Sequence, residues 1–107
     1  MADPSGNVGK NTYMSYDVYL NMRRSVQYYN LGLKAQALNT TAGWEDAAFN
    51  YFMALGLNPY DVDSKAALLF ITSPNPTPPP SAISEDQCRT AKQLANAELK
   101  KCGFCRR

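Results

Sequence analysis

Five of the chain's seven prolines fall within Ser73-Pro74-Asn75-Pro76-Thr77-Pro78-Pro79-Pro80-Ser81. Proline has no backbone N–H to donate, and prolines this dense favour an extended polyproline II path. Neither a helix interior nor a central strand can run through the segment. It separates a tyrosine-rich body from a short, basic, cysteine-bearing C-terminal stretch. The expected organisation is a flexible arm over 1–11, a helical body over 12–72, a Pro-rich linker over 73–83, and an amphipathic helix with a basic tail over 84–107.

At 107 residues the chain has the size of one domain with one small core. Hydrophobic residues make up 45%, enough to fold rather than remain a solvated tail. The net charge of +2 is too small to specify a nucleic-acid or membrane partner by itself. Its distribution is uneven. Residues 1–81 carry five bases (Lys10, Arg23, Arg24, Lys34, Lys65) against six acids (Asp3, Asp17, Glu45, Asp46, Asp61, Asp63), giving −1. Residues 82–107 carry six bases (Arg89, Lys92, Lys100, Lys101, Arg106, Arg107) against three acids (Glu85, Asp86, Glu98), giving +3. A weakly acidic body with a basic tail suits self-association or an acidic partner.

Histidine is absent, which excludes serine-histidine and cysteine-histidine nucleophile pairs within this chain and removes the commonest metal ligand. Met1 to Lys10 has no apolar h-region, so no signal peptide is expected, and no stretch approaches the length of a membrane span. With three cysteines and no secretion signal, the expectation is free thiols in a reducing compartment, cytoplasmic or within a viral particle.

Apolar spacing predicts four helices. The first runs from Tyr13 to about Leu38, capped by Asn11 or Thr12. Tyr19, Met22, Val26, Tyr29 and Leu33 form one stripe, and Tyr13, Leu20, Leu31 and Leu38 form a second. Two seams imply two neighbours, in the domain or across an oligomer interface, and Gly32 is a weak point between them. After a turn at Asn39-Thr40-Thr41-Ala42-Gly43, a second helix is expected from about Gly43 to Leu55, stopped by Gly56. Its stripe is Trp44, Ala47, Ala48, Tyr51, Phe52 and Leu55, with Phe49 and Met53 making the opposite side apolar.

Asn58-Pro59-Tyr60-Asp61 reads as the start of a third helix, with Asn58 as cap and Pro59 at the first position, reaching about Ile71. Its end, Ala66-Ala67-Leu68-Leu69-Phe70-Ile71, has no polar side and is expected to be the most buried segment. Ser84-Glu85-Asp86-Gln87 reads as a capping box, with Ile83 and Cys88 as its hydrophobic staple. The fourth helix then runs to about Lys101, with Gly103 as terminator and Cys88, Ala91, Leu94, Ala95, Leu99 and Cys102 inward.

Cys102-Gly103-Phe104-Cys105 is the one motif-like element. Its alternatives are a redox dithiol, half of a zinc site, or a local disulfide, beside the plain reading of small core residues. Redox pairs usually open a helix, where the dipole lowers the thiol pKa, whereas this pair closes one. A closed zinc site wants four ligands, so Cys102 and Cys105 would need a second chain. Cys88 lies roughly 21 Å from Cys102 along a continuous helix and cannot join them.

Arg23-Arg24 and the tail Lys100, Lys101, Arg106 and Arg107 permit a nucleic-acid reading, without the dense basic face of duplex readers. Ala54-Leu55-Gly56-Leu57-Asn58-Pro59 resembles the leucine-glycine-leucine-threonine-proline stretch of some phage small terminase subunits, which are helical DNA-packaging proteins. The likeness covers six residues, and the arginine that tends to follow there is not found after Pro59. It implies DNA packaging as one alternative function. Helix-stop, cap and proline chemistry alone would produce the same string.

Seven tyrosines in so short a chain point towards protein contacts, because tyrosine joins a large apolar body to a polar tip. Tyr19, Tyr29 and Tyr51 are expected in the core. Tyr16, Tyr28 and Arg24 are expected at a partner surface, together with Phe49 and Met53. Asp61, Asp63, Glu45 and Asp46 sit near helix N-termini, where the dipole explains them. The expectation is an all-α fold, a small bundle of three helices plus a fourth after the proline-rich strap. It has no cofactor and no catalytic residues. The expected function is a non-enzymatic interaction or structural protein, a subunit of a larger assembly such as a phage or virus particle. A DNA-binding or DNA-packaging factor and a thiol or zinc protein are the alternatives.

Overall fold

The computed structural model describes residues 16–73 and 82–101. Over these residues the fold is all-α, with helices α1 (Tyr16–Gln36), α2 (Thr41–Leu57), α3 (Val62–Thr72) and α4 (Glu85–Lys101). From Ala47 to Leu57, α2 carries no charged side chain. A helix apolar on every side needs neighbours on several sides. The other three helices all pack on α2.

α1 and α2 form an antiparallel hairpin. Asn39 closes α1 in the left-handed region, with φ of 55°, which asparagine tolerates better than most residues. Thr40 caps α2: its Oγ1 accepts from the Gly43 N–H at 2.9 Å. The helix therefore starts at Thr41, ahead of the expected Gly43. Two side chains of α2 then hold the end of α1. Trp44 Nε1 donates to the Gln36 carbonyl at 3.1 Å, and the Tyr51 hydroxyl donates to Gln36 Oε1 at 2.6 Å.

Gly56 does not stop α2. A side chain there would collide with Leu99 Cδ1 on α4, so its smallness serves helix contact, and α2 continues to Leu57. Nor does Asn58 cap α3. It closes α2 instead, its N–H bonding the Ala54 carbonyl at 2.8 Å. Asn58 also starts a turn, in which its carbonyl accepts from the Asp61 N–H at 3.0 Å. Pro59 fits the second position of such a turn as well as it fits a first helical turn. Asp61 is the true cap of α3, accepting from the Ser64 N–H at 3.1 Å.

α3 returns antiparallel along α2, so that Phe70 meets Trp44 with ring centroids 5.8 Å apart. The return places Ile71 beside the entry to α4, where the Ile83 N–H donates to the Ile71 carbonyl at 3.0 Å. The Pro-rich segment thus joins two elements already in contact. The capping box forms as expected: the Ser84 N–H donates to Gln87 Oε1 at 2.7 Å, and the Gln87 N–H donates to Ser84 Oγ at 3.1 Å. Gln87 Nε2 donates to Glu45 as well, tying the first turn of α4 to the second turn of α2. With Glu45 at Gln87 and Gly56 at Leu99, α2 and α4 run parallel.

One core cluster joins Ala35, Trp44, Ala47, Ala48, Tyr51, Ile71, Ile83 and Ala91, and a second joins Met53, Leu57, Ala95 and Leu99. The end of α3 is not the most buried segment. Ile71 is fully buried, but Leu69 and Phe70 are exposed, because α3 touches the body along one side only. Leu94, expected inward on α4, is 58% exposed. The expected cap at Asn11 or Thr12, the terminator Gly103 and the inward Cys102 lie outside the described residues.

Candidate functional site

The face by which α1 meets α2 is not its apolar stripe. Among the described side chains of α1 the buried residues are Asn21, Ser25, Gly32 and Ala35, all small or polar. Small side chains let two helix backbones approach closely. Gly32 is the extreme case, because its α-carbon lies against the Tyr51 ring, with Cδ1 and Cζ 2.7 and 2.9 Å from where a β-carbon would stand. The Ser25 hydroxyl lies 3.0 Å from both the Ala54 carbonyl and Asp61 Oδ2.

With that face turned inward, the stripe beside it turns outward. Met22, Val26 and Leu33 are 40%, 57% and 40% exposed, and Tyr19 is exposed with them. Tyr29 alone of the stripe packs inward, its ring 6.0 Å from that of Tyr51. Tyr51 and Tyr29 are therefore core or core-edge residues, and the expectation of a core position for Tyr19 is corrected. Stripe positions 19, 22, 26, 29 and 33 follow the alternating three-four spacing of a coiled-coil seam. At its N-terminal end Tyr16 stacks on Tyr19 with centroids 6.5 Å apart. The Arg23 guanidinium lies over the Tyr19 ring at 5.8 Å and donates to its hydroxyl at 3.1 Å.

The residues singled out for partner contact are dispersed. Tyr16 is exposed beside the seam. Tyr28 is half-buried against the second core cluster, and Met53 is buried inside that cluster at 3% exposure, so both face the protein's own interior. Arg24 is half-buried and, with Gln27, Tyr28 and Leu31, lines a shallow pocket of about 230 Å³. Phe49 is half-buried between the two core clusters and forms the floor of a larger groove of about 500 Å³ between α2 and α4. Ala91 and Leu94 complete that floor, and Glu45, Asp46 and Asp86 stand on its rim.

The thiol pair Cys102 and Cys105 lies outside the described residues. Cys88 is a free, half-buried thiol packed on the first core cluster, where the staple reading places it. Among the described residues no group of three or more cysteines or carboxylates converges as a metal site, and no helix is long and apolar enough to cross a membrane. The Tyr51 hydroxyl is pushed up from 10.0 to about 12 by burial, with the neighbouring Tyr29 adding to the rise. It faces Gln36 in the packed interior, away from the groove.

The spacing groups the seam residues but does not say which face of α1 meets α2. The available signal was the row Ser25, Gly32 and Ala35 on the adjoining face, which marks the side of closest approach. Compared with known proteins, the chain matches no family model, no curated protein and no solved structure.

Proposed function

We propose that this chain is a non-enzymatic interaction or structural protein, a small helical subunit of a larger assembly, with the outward seam of α1 as its contact surface. The observation that carries the reading is the exposure of Met22, Val26 and Leu33 along one helix whose small-residue face is already occupied. Fully burying an aliphatic side chain is worth about 1.5–3 kcal/mol. Three such residues about half exposed, plus Tyr19, leave roughly 3–5 kcal/mol of gross burial to be gained from a partner. The three-four spacing favours a helical partner, because knobs spaced in that way fit the holes of another helix.

The test is the mass in solution, measured on the purified chain and again after co-purification from its native source. A species heavier than the 11.9 kDa chain is expected in at least one of the two. A single-chain mass in both, with no binding of an apolar dye, contradicts the reading.

A further inference from the structure

We infer that the groove between α2 and α4 receives the basic C-terminal segment of a second copy of this chain, an inference that rests on the assembly reading above. The groove holds about 500 Å³ over an apolar floor of Phe49, Ala91 and Leu94. Leu94 is 58% exposed although the rest of that helix face is covered. The rim presents Glu45, Asp46 and Asp86 and, among the described residues, no basic one. The N-termini of α2 and α4 lie at one end of it, each equivalent to roughly half a positive charge. Arg89 pairs with Asp86 at 2.6 Å. Set against three carboxylates, these leave the rim net negative. Both members of the Arg89–Asp86 pair are largely exposed, so the pair is weak and can exchange for another cation.

The complementary segment is in the same sequence. Lys100-Lys101-Cys102-Gly103-Phe104-Cys105-Arg106-Arg107 sets four cations around one phenylalanine, matching an acidic rim over an apolar floor. The chain's own segment cannot carry its terminal cations to the far end of the rim. From Lys101 back to Asp86 is roughly 22 Å along α4. Residues 102–107 span at most about 21 Å fully extended, which leaves nothing for the reversal. A neighbouring copy has no such limit. Because groove and segment are different surfaces, the contact is head-to-tail and propagates to a chain or a ring.

The experiment is sedimentation velocity on the full chain at roughly 50 and 500 mM salt, where exposed ion pairs are progressively screened. Wild type is compared with a groove variant, Asp46→Lys with Asp86→Lys, and a tail variant, Lys100→Gln, Lys101→Gln, Arg106→Gln and Arg107→Gln. Asp46 and Asp86 are exposed, and an unchanged helical circular dichroism spectrum checks the fold of each variant. Wild type is expected to form a salt-sensitive ladder of species. Each variant alone should associate at least tenfold more weakly. Their mixture should regain a salt-sensitive association that neither variant shows alone, limited to one groove–tail contact per pair, since one groove and one tail remain. Variants that assemble as wild type does, or a mixture that stays monomeric, overturn the groove and leave the α1 seam standing. A wild type monomeric at both salts overturns the groove as well, and a wild type that is monomeric even after co-purification also removes the assembly reading.

Discussion

The Tyr51 ring stands where any side chain at position 32 would have to stand. Gly32 is therefore the closest approach of α1 to α2, and the ring cannot easily retreat, being held by its hydroxyl on Gln36 and flanked by Tyr29. In an exposed helix, Gly32→Ala would stabilise by about 1 kcal/mol. Here overpacking, at about 1–3 kcal/mol, opposes that gain. The net expectation is a loss of about 1–2 kcal/mol in urea unfolding, which is partly recovered when Tyr51→Leu is added. A more stable Gly32→Ala protein would contradict the contact.

Asp61 joins three elements. Its carboxylate accepts from the Ser64 N–H at 3.1 Å, the Ser64 hydroxyl at 2.7 Å and the Ser25 hydroxyl at 3.0 Å. Loss of a helix cap costs about 0.5–2 kcal/mol, and a stranded buried hydroxyl about 1–3 kcal/mol. Ser25 keeps the Ala54 carbonyl as acceptor, but Ser64 is fully buried and keeps none of these bonds. Asp61→Ala should lose about 2–3 kcal/mol in urea unfolding, and Asp61→Asn about half of that. A change below 0.5 kcal/mol on Asp61→Ala would show that the cap of α3 is elsewhere.

How far the fold was legible follows from how local each signal is. The Ser84–Gln87 box is reciprocal within one turn, so sequence alone predicted both bonds. The Thr40 turn was equally local. Asn58 and Gly56 misled because the same residues serve a helix stop, a turn or a close helix contact, and only Leu99 and Asp61 decide among them. The inward face of α1 was illegible for a different reason. Periodicity tells which residues share a face, whereas closeness to α2 selected the face of Ser25 and Gly32 over the more apolar one. Of the groove, Phe49 drew notice but its acidic rim did not, since Glu45 and Asp46 were assigned to the first-turn dipole of a helix expected to start at Gly43; with α2 starting at Thr41 both lie beyond the first turn, and their meeting with Asp86 depends on α4 docking parallel to α2.

Asn21 is 1% exposed, and among the described residues neither polar atom of its side chain has a hydrogen-bond partner. A buried amide left unpaired costs about 1–3 kcal/mol. Asn21→Leu, which keeps the branching and heavy-atom count of the side chain without its polar atoms, should raise stability by about 1 kcal/mol, read as an upward shift in thermal midpoint of several degrees. A fall of similar size would show a polar partner for Asn21.

The raised Tyr51 hydroxyl sets a pH dependence. Below pH 10 the phenol is protonated in both folded and unfolded chains, and its contribution is fully present. Between about pH 10 and 12 the unfolded chain gives up the proton while the folded chain holds it, so stability falls as pH rises. Thermal midpoints measured across that window should decline more steeply for wild type than for Tyr51→Phe. Parallel curves would contradict the displaced titration.

The most direct test of the account compares wild type and Val26→Glu by sedimentation velocity across a range of concentrations. Val26 is 57% exposed at the centre of the α1 seam, so the charge should leave the fold and its thermal midpoint unchanged. Wild type is expected to sediment above 11.9 kDa with rising concentration, and Val26→Glu to associate at least tenfold more weakly. Identical behaviour of the two proteins, or a wild type that stays at single-chain mass throughout, would contradict the claim that this seam is a contact surface.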